Sequence, residues 1–206
     1  MSTIVVTGTG TDVGKTWVTA EVLLRLRARG IMVAARKPAQ SYAPEELGRT
    51  DAEVLGAASG EPPDVVCPHH RWYPEPMAPP MAAEALGLAP FTIADLVVET
   101  AAAHPSAIML VEGAGGPRSP LASDGDTVDL ARALGAGMAV LVADSGLGTI
   151  NAVRLSAEAL RGMSVLVYLN RFDPADALHR RNHAWLAAAG YRLVTEPKVL
   201  TELVIP

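Results

Sequence analysis

The chain is poor in cysteine, in aromatic residues, in basic charge and in long apolar runs, and each shortage narrows what it can be. A single cysteine, Cys67, leaves no partner for an internal disulfide, which fits a reducing compartment. Aromatic residues make up 4% of the chain against 50% apolar residues overall, so the core has to be built from Val, Leu, Ile and Ala. That composition suits a buried parallel sheet under alanine-rich helices. Acidic residues outnumber basic ones, 22 to 17, for a formal charge of −5. This is the opposite of the basic surface that nucleic acid requires. No apolar run approaches the ~18 residues of a membrane span, and no basic leader precedes the first apolar run. The expectation is a cytoplasmic, soluble protein with no nucleic-acid and no membrane partner. No repeat, low-complexity tract or long linker divides the 206 residues, so a single domain over 1–206 is expected.

What is present begins at Thr7-Gly8-Thr9-Gly10-Thr11-Asp12-Val13-Gly14-Lys15-Thr16. It follows the apolar run Ile4-Val5-Val6 and leads into a helical pattern near Trp17. Strand, glycine-rich loop, then helix is the context in which a phosphate-loop motif has meaning. Glycines let successive N–H groups turn toward an anion. The first helical turn adds unpaired N–H groups and the positive end of its dipole. Lys15 can reach the outer phosphates, and the Thr16 hydroxyl can ligate Mg²⁺. The common form G-x-x-x-x-G-K-[ST] would place its first glycine at Thr9, and Gly8 stands one residue earlier. The competing reading is an ordinary strand-turn-helix with a surface lysine.

Further along, apolar runs and helical periodicities alternate. Strands are expected at Thr3–Thr7, Ile31–Arg36, Ala107–Val111, Met138–Ala143, Ser164–Leu169 and Tyr191–Val194. Helices are expected at Lys15–Arg29, from Asp51 through Ala58 with Thr50 as N-cap, and at Met81–Leu86, Ile93–His104, Thr127–Leu134, Thr149–Leu160 and Pro174–Ala189. Gln40–Arg49 and Gly60–Pro80 read as irregular, and the tail from Thr195 to Pro206 carries no clear pattern. The fold class is therefore α/β: a single-domain, phosphate-loop NTPase-like, mostly parallel sheet with helices on both faces.

Several polar residues stand at strand ends, the ligand-binding edge of such a sheet. Lys37 follows the second strand. Glu112, at the end of a buried strand and before Gly113-Ala114-Gly115-Gly116, can hold Mg²⁺ directly or through water. Asn170 closes the fifth strand. Asp51 by itself reads only as a first-turn acid that suits a helix dipole. Cys67-Pro68-His69-His70 matches no common zinc spacing.

Taken together, the loop at 7–16, Lys37-Pro38-Ala39-Gln40-Ser41, Val111-Glu112-Gly113-Ala114-Gly115-Gly116, Gly148-Thr149-Ile150-Asn151 and the strand ending in Asn170 resemble the dethiobiotin synthetase family. The likeness runs from about Thr3 to Asn170. It implies a cyclo-ligase that uses ATP as co-substrate and Mg²⁺. CO₂ or bicarbonate adds to 7,8-diaminononanoate as a carbamate, ATP phosphorylates it, and the second amine closes the ureido ring. By the same resemblance, Lys37, Lys15, Thr11 and Ser41 serve catalysis, and Thr16, Asp51 and Glu112 hold Mg²⁺. Nucleotide contacts fall to Asp12, Val13, Gly14, Lys15, Thr16, Trp17, Asp51, Glu112, Gly113, Ala114 and Gly115, with Asn170, Arg171 and Pro197 around the base. Ser41, Gly148, Thr149, Ile150 and Asn151 contact the diamine, the last four from the other subunit of a homodimer with shared sites.

Four features depart from that family's usual pattern: Tyr42 in place of glycine, Ala152 where histidine is frequent, Arg118-Ser119 after Gly116, and Arg171-Phe172-Asp173 near the base. The alternatives are a related ATPase acting as a switch, and a member that binds nucleotide without turnover. The early loop lysine of switch proteins is missing, since Thr9, Gly10 and Thr11 occupy that region. An amidotransferase would need a nucleophilic cysteine, for which Cys67 is the sole candidate.

Overall fold

The computed structural model describes residues 2–45, 48–101 and 108–205. In chain order the elements are β1 (Ser2–Gly8), α1 (Lys15–Ala28), β2 (Val33–Arg36), β3 (Gln40–Ser41), α2 (Asp51–Ser59), α3 (Pro63–Val66), β4 (Trp72–Tyr73), α4 (Pro79–Ala85), α5 (Ile93–Ala101), β5 (Ile108–Glu112), β6 (Pro120–Ala122), β7 (Gly125–Asp126), α6 (Thr127–Ala133), β8 (Met138–Asp144), α7 (Thr149–Ala159), β9 (Ser164–Asn170), α8 (Ala177–Ala188), β10 (Leu193–Val194) and α9 (Pro197–Leu203). Six strands form one sheet in the order β10-β9-β8-β1-β5-β2. Every pairing in it is parallel, so all the C-terminal strand ends lie along one edge.

Strand alternation decides what each face buries. Ile4 and Val6 of β1, Leu110 of β5, Val140 of β8 and Tyr168 of β9 pack with Val18, Leu23 and Leu26 of α1, Leu55 of α2, and Leu200 of α9. The residues between them face the other way. Val5 and Met109 meet Leu96 of α5 and Leu130 of α6, and Leu141 and Leu169 meet Val153 of α7 and Leu186 of α8. The same parity carries beyond the apolar residues. Glu112 lies two residues past Leu110, and Asn170 two past Tyr168, so both belong to the α1 face at the sheet's C-terminal edge.

The main elements fall where the periodicity predicts them. Several regions differ. Gln40–Ser41, expected as loop, pairs in parallel with Trp72–Tyr73; two-residue strands are too short to show a period. The stretch 60–80, expected as irregular, contains α3, a 3₁₀ turn at His69–Arg71 and β4. The unpatterned tail after Val194 forms α9, in which Pro197 opens the helix and Leu200 and the following Val204 are buried. Helix α8 starts later than expected because Asp176 caps it, its carboxylate accepting from the N–H groups of Leu178 at 2.7 Å and His179 at 3.1 Å. Pro120–Ala122 and Gly125–Asp126 add an antiparallel hairpin too short to show a period. The expected helix end at 102–104 and strand start at Ala107 lie outside the described residues.

Candidate active site

The loop between β1 and α1 is anchored on both sides. Thr9 N–H donates to Val142 O at 2.8 Å, and Gly8 N–H to Gly115 O at 3.3 Å. Two positions take left-handed backbone, Asp12 with φ 58° and Gly14 with φ 93°. For Asp12 this is an uncommon state, and two neighbours hold the segment. Arg171 donates to Asp12 O at 3.0 Å, and the Asn170 amide donates to Val13 O at 2.9 Å. At Gly14 only glycine fits: a Cβ there would stand 2.1 Å from Asn170 Nδ2. Gly14 is the N-cap of α1 and gives no side-chain cap, so no side chain of its own competes with an anion for the leading N–H groups. Lys15 is 8% exposed and donates to Gly10 O at 3.0 Å. Burial, then the nearby Lys37 charge, lowers its pKa from the ordinary 10.5.

Behind the loop three oxygens converge. The Thr16 hydroxyl lies 2.8 Å from Asp51 Oδ1 and 2.9 Å from Glu112 Oε1. One hydrogen serves two carboxylate oxygens, a deficit of positive charge that a hard cation would meet. Lys37 Nζ supplies part of it, at 2.6 Å from Asp51 Oδ2 and 2.9 Å from Glu112 Oε1. Burial alone would lower the Lys37 pKa, but the charges of Asp51 and Glu112 outweigh it and hold it above 10.5. Burial likewise works to raise Asp51, and the Lys37 charge keeps it below its ordinary 3.8. Asp51 reaches this cluster because α2 starts at a capping box, Thr50 with Glu53. Among the described residues no group of three or more His, Cys, Asp or Glu side chains could hold a metal. A cation at this point would thus draw on two carboxylates, one hydroxyl, and oxygens from outside the protein.

The cluster forms part of the wall of a cleft of about 720 Å³. Thr11, Asp12, Gly14, Lys15, Thr16, Trp17, Lys37, Asp51, Ala114, Gly115 and Arg171 line it, together with Ser41, Tyr42 and the segment from Pro76 to Pro79. The Ser41 hydroxyl donates to Met77 O at 2.6 Å, tying those two segments together. Glu112 is fully buried and reaches the cleft only through the groups it binds. Val13, Gly113 and Asn170 do not line it. The Gly113 position is closed by Thr127, whose Oγ1 would lie 2.3 Å from a Cβ placed there. Pro197 opens α9, and Gly148, Thr149, Ile150 and Asn151 form the start of α7; neither group lines the cleft. Cys67 is buried, and burial pushes its thiol up to about 12, which removes it as a nucleophile at neutral pH.

Two further residues support the cluster, and neither has a signature in the sequence. Thr19 Oγ1 lies 2.9 Å from Glu112 Oε2, and Gln40 Oε1 accepts from Ala52 N–H at 3.0 Å. Thr19 stands three residues after Thr16 on one helix, a spacing that shares a face. Gln40 lies between Lys37 and Ser41, where a polar residue in a short strand has no periodic signature.

A glycine-rich loop at the C-terminal end of a parallel strand, with Lys15, Thr16 and a strand-end Glu112, defines a phosphate-loop nucleotide-binding protein. Comparison with known proteins narrows the class. A family model described as an AAA domain matches residues 2–179. The chain is 48% identical over 164 residues to the ATP-dependent dethiobiotin synthetase of Rhodococcus jostii (strain RHA1), covering 78% of this chain and 68% of that one. It is 39% identical over 171 residues to that of Caulobacter sp. (strain K31), covering 81% and 74%. The chain belongs to the ATP-dependent dethiobiotin synthetase family. Among solved structures, the septum site-determining protein MinD of Pyrococcus horikoshii OT3, complexed with Mg-ADP, superposes with a TM-score of 0.52 at 15% identity over 85% of this chain and 72% of that chain. The signal recognition particle receptor FtsY of Elizabethkingia anophelis gives 0.55 at 12% identity over 93% and 56%. At such identities these likenesses speak for the fold alone. No described helix is long and apolar enough to cross a membrane.

Proposed function

We propose that this chain is an ATP-dependent dethiobiotin synthase acting on 7,8-diaminononanoate and CO₂. The observation that carries the reading, beside the family, is the Lys37 ammonium held between Asp51 and Glu112 at the cleft shared by the phosphate loop and Ser41. In the reaction one amine of the diamine adds to CO₂ and loses a proton, giving a carbamate. A carbamate oxygen takes the γ-phosphoryl group of ATP. The second amine then attacks the carbamoyl carbon and gives up a proton, phosphate leaves with its C–O bond electrons, and the cyclic urea remains. No covalent enzyme intermediate is required, so the work is positioning and charge stabilisation.

Each residue has a part in that work. Thr11, Asp12 and Gly14 present backbone to the phosphates, with Val13, Trp17, Gly113, Ala114 and Gly115 around them. Lys15 neutralises charge on the outer phosphates, and Lys37 neutralises it on the carbamate and the transferring group. Ser41 orients the diamine. Asn170, Arg171 and Pro197 are assigned to the nucleoside end, and the hold of Asn170 and Arg171 on the loop adds a second duty there. Thr16, Asp51 and Glu112 would hold Mg²⁺. The fit rests on the shared hydroxyl hydrogen of Thr16, which leaves one of two carboxylate oxygens without a proton donor from it. Bound there, the cation would supply positive charge against that of the phosphates.

Gly148, Thr149, Ile150 and Asn151 are assigned to the diamine of a partner subunit in a homodimer. In support, Leu147 and Leu155 beside them are 93% and 67% exposed. A second groove, lined by Gly116, Arg118, Ser119 and Leu155, shares Ser119 with the main cleft. A cytoplasmic location and a single domain over 1–206 complete the reading. The test is phosphate release from ATP and Mg²⁺, with bicarbonate and the diamine each left out in turn. Release that requires both is expected. Release indifferent to the diamine would instead indicate a switch-type ATPase.

A further inference from the structure

The two carboxylates of the proposed cation site are each held by a residue that has no role in the reaction described above. Glu112 Oε1 faces the Lys37 ammonium and the Thr16 hydroxyl. Its Oε2 has Thr19 Oγ1, at 2.9 Å, as donor among the described residues. The Thr19 hydroxyl also lies 2.9 Å from Lys15 O, the i−4 carbonyl to which a helical threonine can back-bond. One hydrogen cannot serve both. Lys15 O already has the helical N–H of Thr19, whereas a fully buried carboxylate oxygen left without a donor is strongly disfavoured. The hydrogen therefore goes to Glu112.

Asp51 depends on how α2 starts. Ala52 N–H is one of the leading amides with no intrahelical partner, and Gln40 Oε1 meets it at 3.0 Å. A backbone N–H demands an acceptor, so this bond fixes which way the Gln40 amide points. Gln40 is 3% exposed, and its Nε2 has no partner among the described residues. The bond that anchors this side chain is thus the one to α2. It joins the helix start carrying Asp51 to the strand that follows Lys37.

We propose that Thr19 and Gln40 are positioning residues of the cation site, Thr19 for the Glu112 carboxylate and Gln40 for the helix start that carries Asp51. They act together to bring both acids to the Thr16 hydroxyl. Neither touches the cation or the phosphates. The proposal rests on the reading that this site takes Mg²⁺.

The test uses the whole chain without diamine or bicarbonate, so that no turnover enters. Thr19→Val keeps the shape and removes the hydroxyl. Gln40→Met keeps the length and removes the oxygen. Binding of a non-hydrolysable ATP analogue is titrated calorimetrically across Mg²⁺ concentrations and in its absence. In either variant the Mg²⁺ concentration for half-maximal enhancement is expected to rise about tenfold, with metal-free affinity within about twofold of the parent. Thr19→Ser, which keeps the hydroxyl, is expected to restore the parent requirement. An unchanged Mg²⁺ requirement in a variant overturns the assignment of that residue. Equal loss of metal-free and metal-dependent binding also overturns it, since that is general damage. A parent protein whose nucleotide binding ignores Mg²⁺ overturns the cation reading, and the proposal with it.

Discussion

Lys37 combines two demands on one ammonium. It neutralises two acids in the resting fold, and it is the group assigned to the carbamate. Lys37→Ala is expected to abolish turnover while leaving nucleotide binding largely intact. Because it strips a buried carboxylate of its counterion, it should also destabilise the fold by about 3 kcal/mol, a loss that Mg²⁺ partly reverses in a denaturant titration. Normal turnover in this variant would remove Lys37 from the mechanism. Lys15 behaves oppositely with pH. Its pKa is lowered from 10.5, so its charge fades on the way up to that value, while Lys37 stays protonated beyond it. Affinity for an ATP analogue should therefore begin to fall below pH 10.5, and Lys15→Arg, always charged, should lose that alkaline decline. At Asn170 the amide engages Val13 O, so Asn170→Ala should weaken both base preference and phosphate affinity. Unchanged values of both would contradict its placement.

Elements place these groups by simple parity. Leu110 faces α1, so Glu112 does, and Tyr168 sets Asn170 in the same way. This much was legible in the sequence, because long apolar strands and amphipathic helices have a period. The phosphate loop was legible because a glycine-rich loop ending in Gly-Lys-Thr between a strand and a helix has few other uses. Asp51 was legible only through the family resemblance, since a first-turn acid by itself has an ordinary helix-dipole explanation and its contact with Thr16 is made by the fold. Thr19 and Gln40 were invisible for the same reason: each acts on a group distant in sequence. The tail was missed because α9 is one short helix with a single buried apolar residue, Leu200, and Val204 buried just beyond it, a spacing but no repeat. It packs on α1, with Arg29 and Glu202 paired at its exposed side. Leu200→Ala should destabilise the protein by about 2–4 kcal/mol in chemical denaturation with little change in the Mg²⁺ requirement. A loss under about 1 kcal/mol would mean that α9 is not part of the cooperative core.

At the scale of the whole molecule, the cleft of one chain holds the phosphate loop, the acids and both lysines, but not Gly148–Asn151. If those residues serve a neighbouring cleft, the enzyme is a homodimer. Light scattering should then give twice the 21.5 kDa of the chain, and Leu147→Asp should shift it toward monomer with loss of turnover. A monomeric parent at full activity would place the diamine wholly within one chain. The chemistry itself is tested most directly by following carbon. Incubation with carbon-13 bicarbonate, 7,8-diaminononanoate, ATP and Mg²⁺ should give dethiobiotin whose ureido carbonyl carries the label, with one phosphate released for each ring closed. Phosphate released without labelled product would contradict the ligase reading.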